Sequence, residues 1–149
     1  MKKLFIVLVI GIILAACQTA DKKPVAPVTQ EQKDIAIIDS ANFTSIEWLD
    51  STYKDLGKIK EGEKVQVAFH FKNTGTKNLI IADVTAGCGC TIPEQPTKPF
   101  APGETGEIKA TFNSAGKAGS NSKPVNVFAN IEPSMTTLTF DVDVIKAKS

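Results

Sequence analysis

The chain has 149 residues, of which 42% are hydrophobic and 22% charged, and its formal net charge is +1. This balance is typical of one globular domain that can bury a core, so it excludes a chain that is disordered throughout. The near-neutral charge also argues against nucleic-acid binding, which requires a basic face.

Residues 1–16 have the pattern of an export signal. Lys2 and Lys3 precede an apolar run, Leu4 to Ala16, that is short for a membrane span. The end of this run, Leu14-Ala15-Ala16-Cys17, resembles the lipobox of bacterial lipoproteins. The resemblance implies cleavage before Cys17 and acylation of that cysteine, and more than one acyl chain gives stable membrane attachment.

The residue after Cys17 indicates in which membrane the protein is anchored. Gln18 stands where many lipoproteins of the inner membrane have Asp, so the resemblance favours the outer membrane, on its periplasmic or surface face. We expect two partners: the membrane, through the lipid on Cys17, and an unidentified protein or envelope component.

Residues 17–43 are predicted to form the lipidated cysteine and a flexible tether. The stretch Gln18 to Asp39 is polar, contains Pro24 and Pro27, and has no apolar period before Ile35. We therefore place the folded domain at residues 44–149, where no helix of useful length is expected.

From Thr44 onward, hydrophobic residues recur at every second position in short runs bounded by Gly, Pro and Asn, which predicts an antiparallel all-β domain. About seven such strands are expected, which is the size and spacing of an immunoglobulin-like β-sandwich. The clearest inward-facing positions are Ile46, Trp48, Val65, Val67, Phe69, Phe71, Ile108, Ala110, Phe112, Val125, Val127, Ala129, Leu138, Phe140, Val142 and Val144.

Three connections between the strands are also predicted. Residues 73–78 supply turn residues for a hairpin. The change of parity between Ile81 and Val84 predicts a β-bulge near Asp83. Four prolines between Thr91 and Gly103 exclude a central strand and predict an edge segment that crosses from one sheet to the other.

Cys88 and Cys90 form a candidate thiol pair within Ala86-Gly87-Cys88-Gly89-Cys90-Thr91. We favour two reduced, core-facing cysteines, because an extended chain places five residues in one apolar stripe: Val84, Ala86, Cys88, Cys90 and Ile92. A labile disulfide stays open, although two such positions in a strand lie near the upper limit for bridging. A soft metal ion is the third alternative. After cleavage, His70 is the only histidine and Met135 the only methionine that could complete such a site, so we predict no metal and no cofactor.

Other residues with functional potential are few. His70 has no serine or cysteine at motif spacing and is predicted to be a solvent-facing strand histidine, so no catalytic residue is assigned. Phe100 and Phe128 are candidate exposed anchors for a partner.

Several spaced motifs resemble those of the bacterial domain-of-unknown-function family 1573. The resemblance covers about Ile46 to Ile145, and Leu56 stands where that family often has Phe. It implies an immunoglobulin-like domain, similar to the major sperm protein and cilium-associated type, that binds or scaffolds without a known reaction. The alternative is a thiol redox or metal-handling protein that uses Cys88 and Cys90. The motifs are Asp55-Leu56-Gly57-Lys58-Ile59, Gly62-Glu63, Phe69 to Gly75, Leu79-Ile80-Ile81, Cys88-Gly89-Cys90-Thr91, Pro102-Gly103-Glu104 and Asn130.

Overall fold

The computed structural model describes residues 26–146, which form a β-sandwich preceded by a short helix. Two four-stranded sheets make the sandwich, with strand orders β1-β3-β6-β5 and β2-β8-β7-β4. The predicted all-β immunoglobulin-like sandwich is confirmed, with eight strands instead of about seven. The elements are α1 (Gln30–Ile38), a 3-10 turn (Ser40–Asn42), β1 (Ile46–Trp48), β2 (Tyr53–Lys60), β3 (Lys64–Asn73), β4 (Ile81–Ala86), β5 (Thr91–Pro93), β6 (Thr105–Asn113), β7 (Gly119–Ala129) and β8 (Met135–Ile145).

The core lies between the two sheets and contains the residues that the alternating pattern placed inward. Alternate residues are buried in the later part of each of four strands: from Val67 in β3, Ile108 in β6, Val125 in β7 and Leu138 in β8, as a half-buried strand requires. Phe112 of β6 and Phe140 of β8 meet edge to face across the core, with ring centroids 6.0 Å apart. Burying one such side chain stabilises the fold by about 1.5–3 kcal/mol.

Of the three predicted connections, one is confirmed, one is right only in part and one is wrong. The pairing of β4 with β7 shifts register between Ile81 and Asp83, which is the expected bulge. The proline-rich segment contains the edge strand β5, as predicted, but the chain has already crossed between the sheets at residues 87–90, so the predicted crossing within this segment is wrong. The predicted hairpin is wrong, because β3 and β4 lie in different sheets. The buried side chain of Asn73 directs this crossing, since its Nδ2 donates to the carbonyl oxygens of Lys77 and Phe100.

One strand pair departs from the predicted antiparallel arrangement. β2 runs parallel to β8, with Tyr53 opposite Thr139 and Lys60 opposite Ile145. The ladder is interrupted between Asp55 and Lys58. Alternation of side chains has the same period in both arrangements, so the pattern could not distinguish them.

Part of the predicted flexible tether is folded into helix α1, so the prediction is wrong for that part. Thr29 and Gln32 form a capping box at the start of α1, where each side chain accepts from the other's backbone amide. Lys33 and Ala36 are buried against the sandwich, and Lys33 Nζ donates to the Pro96 carbonyl at 3.2 Å. No helix within residues 26–146 is long and apolar enough to cross a membrane.

Candidate functional site

Cys88 and Cys90 lie in a turn between β4 and β5. The Thr91 amide donates to the Cys88 carbonyl at 3.2 Å, so the chain turns where the alternating pattern predicts an extended strand. The turn brings the two Cα atoms to 5.3 Å, and the sulfurs form a disulfide. An extended chain would separate these Cα atoms by about 6.6 Å. The favoured interpretation, two reduced cysteines, is therefore wrong, and the disulfide alternative describes the structure.

The predicted apolar stripe also breaks at this turn. Val84 is buried in β4, but Ile92 is 66% exposed and Thr91 is only 4% exposed, the reverse of the expected parity. Parity holds only while a strand remains extended, and β4 ends at Ala86. Cys90 nevertheless packs against the edge of the core.

The surroundings of the disulfide leave it accessible on one side. A Cβ placed on Gly89 would meet nothing within 4 Å, so the outer side of the turn is open. On the inner side, the buried Thr91 Oγ1 lies 3.7 Å from Cys88 Sγ. The Asn113 amide donates to the Cys90 carbonyl at 2.8 Å and fixes the backbone there. Thiol–disulfide exchange is the chemistry that this arrangement permits.

A metal site at the cysteines is not supported by the neighbouring side chains. Within residues 26–146 there is no group of three or more His, Cys, Asp or Glu residues that could hold a metal ion. Two sulfurs joined in a disulfide are also not thiolate ligands.

His70 is exposed on the outer face of β3, as predicted, but it belongs to a charged cluster. Its Nδ1 and its backbone amide lie 2.7 and 3.0 Å from the same oxygen of Asp50. Lys54 Nζ lies 2.8 Å from that oxygen, and Glu107 Oε2 is 3.7 Å from His70 Nε2. The hydrogen bond from Lys54, followed by those from the amide and ring of His70, holds the pKa of Asp50 well below its usual range. Sequence reasoning missed Asp50, which follows β1 without any motif.

A groove lies between α1 and one end of the sandwich, and the sequence did not predict it because α1 was missed. Its volume is about 750 Å³, and it is open to solvent. Lys77 and Asn78 contribute polar groups to it. Ile35 is 48% exposed in this groove, and Ile38, one turn further along α1, is 78% exposed. The apolar lining includes Val28, Ile35, Ala36, Ile80, Pro99 and Pro102.

The remaining predicted residues have different outcomes. Phe100 is only half-buried, but it packs edge-on against Phe71 at 4.9 Å and is part of the core, so the prediction of an exposed anchor is wrong there. Phe128 is also half-buried and lies opposite Met135. Cys17 and the export signal lie outside the described residues, so lipidation stays a prediction.

Comparison with solved structures relates the fold to proteins of low sequence identity. A protein of unknown function from Porphyromonas gingivalis W83 is 19% identical, with a TM-score of 0.60 over 70% of this chain and 49% of that chain. This chain therefore spans about half the length of that protein. The ASH / PapD-like domain 7 of human CEP192 is 12% identical, with a TM-score of 0.59 over 72% of this chain and 89% of that chain. These likenesses support the sandwich fold alone.

Comparison of the sequence itself identifies a family. No curated protein shows significant similarity to the chain. Residues 46–144 match the family described as protein of unknown function (DUF1573), which confirms the resemblance seen in the motifs and assigns no reaction. Because the match covers well over half of the sequence, the chain belongs to the DUF1573 family.

Proposed function

We propose that the protein is a lipid-anchored, non-enzymatic binding or scaffolding module of the bacterial cell envelope. Cys17 carries the lipid, and the anchor lies in the outer membrane. The observation that carries the binding role is the groove between α1 and the sandwich, because an apolar lining with a few polar groups is typical of ligand sites. The partner is a protein or another envelope component.

The position of the groove suits a module held at a membrane. Ala26 contributes to the groove, and it follows Cys17 by nine residues. Nine residues span at most about 30 Å, so a partner in the groove would be held close to the lipid surface.

The lipid anchor is tested by Cys17→Ser. Cys88→Ser is the matched control, because it removes a cysteine that is not predicted to carry the lipid. Wild type and Cys88→Ser should incorporate a labelled fatty acid and stay with outer-membrane fractions after a high-salt wash. Cys17→Ser should carry no label. A labelled Cys17→Ser protein would place the lipid elsewhere, and sedimentation of wild type with the inner membrane would contradict the proposed address.

The groove is tested by Ile35→Glu, which places a carboxylate on the apolar lining at a half-exposed position. Ile145→Glu is the matched control, because Ile145 is 52% exposed on β8 and is not part of the groove lining. Affinity capture from membranes solubilised in mild detergent should recover the same component with wild type and Ile145→Glu. Ile35→Glu should lose it. Equal recovery by all three proteins would contradict binding in the groove.

A further inference from the structure

We propose that the Cys88–Cys90 disulfide is a reversible redox site that exchanges with a dithiol, and that the buried Thr91 hydroxyl stabilises the Cys88 thiolate formed when the disulfide opens. This activity goes beyond the proposed binding role and does not require the lipid anchor. Three features of the turn support it: the short loop, the open outer side, and the buried hydroxyl.

The disulfide is poorly placed to stabilise the fold. It joins cysteines only two positions apart, and a loop that short removes little entropy from the unfolded chain. The core is supplied by both sheets, and Cys88 is not among the residues packed in it. A bridge that adds little stability can open without loss of the fold.

The outer side of the turn admits a reactant. Both cysteines are half-buried, not enclosed. Gly89, between them, has no neighbour within 4 Å of where a Cβ would stand, and Gly87 has only the Pro124 ring at 3.4 Å or beyond. A thiolate can therefore approach the disulfide over Gly89.

Thr91 distinguishes the two sulfurs. Its hydroxyl is buried and lies 3.7 Å from Cys88 Sγ, and a disulfide sulfur carries no proton, so the hydroxyl is the donor. A hydrogen bond to a thiolate is stronger than one to a neutral sulfur, because the acceptor is charged. Cys90 packs against the core, where burial disfavours the charged form. The structure therefore assigns Cys88 as the leaving thiolate and Cys90 as the attacked sulfur.

The exchange balances as follows. A thiolate of the dithiol attacks Cys90 Sγ, the Cys88–Cys90 bond breaks, and its electron pair stays on Cys88 Sγ beside the Thr91 hydroxyl. The second thiolate of the dithiol then attacks the other dithiol sulfur, which is bonded to Cys90 in the mixed disulfide. Cys90 leaves as a thiolate. The dithiol becomes a disulfide, Cys88 and Cys90 become thiols, and they take up the two protons that the dithiol lost.

The first experiment uses the full chain carrying Cys17→Ser, so that Cys88 and Cys90 are its only cysteines. The protein is equilibrated with mixtures of reduced and oxidised dithiothreitol, alkylated and weighed by mass spectrometry, while circular dichroism follows the sheet. We expect two thiols to form with an unchanged spectrum. A disulfide that opens only when the sandwich unfolds would overturn the proposal.

The second experiment tests the role of Thr91. Thr91→Val keeps the shape of the side chain and removes the hydroxyl, and it should lower the equilibrium constant for opening by about five-fold. The reduced variant should also be alkylated only at a higher pH than wild type, and Thr91→Ser should restore both properties. A folded Thr91→Val protein with wild-type opening and wild-type pH dependence would refute the role of Thr91.

A third experiment does not depend on changing Thr91. In the chain that carries Cys17→Ser, Cys90→Ser leaves Cys88 as the single cysteine, and Cys88→Ser leaves Cys90. At neutral pH the Cys88 thiol should react with iodoacetamide faster than the Cys90 thiol, and equal or reversed rates would contradict the assignment of the two sulfurs.

The same two variants, expressed in cells, distinguish the sources of the dithiol. A reductant-sensitive adduct with another protein that forms with Cys88→Ser but not with Cys90→Ser supports a protein dithiol, because the mixed disulfide forms on Cys90. An adduct that forms only with Cys90→Ser would contradict the assignment of the two sulfurs. Absence of an adduct from both assigns the exchange to small thiols.

Discussion

The side chain of Gln95 occupies the hydrogen-bonding edge of β4 at Val84. Its Nε2 donates to the Val84 carbonyl at 2.6 Å, and its Oε1 accepts the Val84 amide at 3.1 Å. Asp83 Oδ1 also accepts hydrogen bonds from the Val84 amide and from Gln95 Nε2. β4 is the edge of its sheet, and an unpaired edge is where a strand of another molecule can add. Gln95 therefore blocks the middle of this edge.

Gln95→Glu should weaken this contact, because it places a carboxylate oxygen against two acceptors, the Val84 carbonyl and Asp83. We expect a loss of about 1 kcal/mol in the free energy of unfolding and faster hydrogen exchange of the Val84 amide. Gln66→Glu changes an exposed glutamine on β3 and should leave the Val84 amide unchanged. If the Val84 amide of Gln95→Glu exchanges hydrogen at the wild-type rate, the Gln95 contact does not protect this edge of β4.

Asn130 should be among the most sensitive polar residues. Its buried side chain donates to the carbonyls of Asn42 and Asn78 at 2.7 and 3.0 Å and accepts the Ile80 amide at 2.7 Å. Asn130→Ala removes three hydrogen bonds of about 1 kcal/mol each, so the free energy of unfolding should fall by about 3 kcal/mol in urea melts. Asn126→Ala, which removes one exposed bond to Thr137, should cost about a third of that. Equal losses for both would contradict this ranking.

Gly106 is required by packing. In β6 it pairs with Phe71, and a Cβ there would lie 2.6 Å from the Phe71 ring and 2.5 Å from that of Phe100. Gly106→Ala should therefore cost about 1–3 kcal/mol through overpacking. Gly89→Ala meets open space and should change stability by less than about 0.5 kcal/mol. Thermal melts that shift equally for the two variants would exclude overpacking as the cause.

Asp50 should make stability depend on acid pH. Its pKa in the folded state lies below the ordinary value of 3.8, so its contribution is fully present above that value and is lost as the pH falls toward the folded-state pKa. Asp50→Asn should therefore flatten the decline in the free energy of unfolding between about pH 5 and pH 2. High salt should reduce the difference, because the cluster is solvent-exposed. Parallel curves for wild type and variant at low salt would contradict a role for Asp50.

The alternating pattern predicted the core well because every buried strand position contributes to it. Val67, Phe69 and Phe71 all face inward, as their spacing required. The bulge near Asp83 was also visible, since it reverses parity. These features depend on local geometry, which a sequence records directly.

The features that failed depend on contacts that the alternation of hydrophobic residues does not record, either in a local turn or between distant segments. The parity of Cys88 and Cys90 was misjudged because the Thr91–Cys88 turn interrupts the strand. Helix α1 was missed because its buried residue Lys33 is polar and finds its partner at Pro96, although the capping box at Thr29 and Gln32 was a usable signal. The groove could not be anticipated without that helix.

The parallel pairing of β2 with β8 has a consequence for the time at which the domain can fold. Within residues 26–146, β2 is an edge strand whose only neighbour is β8, the last strand described. A ribosome or a membrane translocase delivers the chain from its N-terminus, so β2 emerges long before its partner exists. Pairing between distant segments also makes folding slow. The β2 edge of this sheet would thus stay unpaired until β8 emerges, so the sandwich can be completed only late in synthesis.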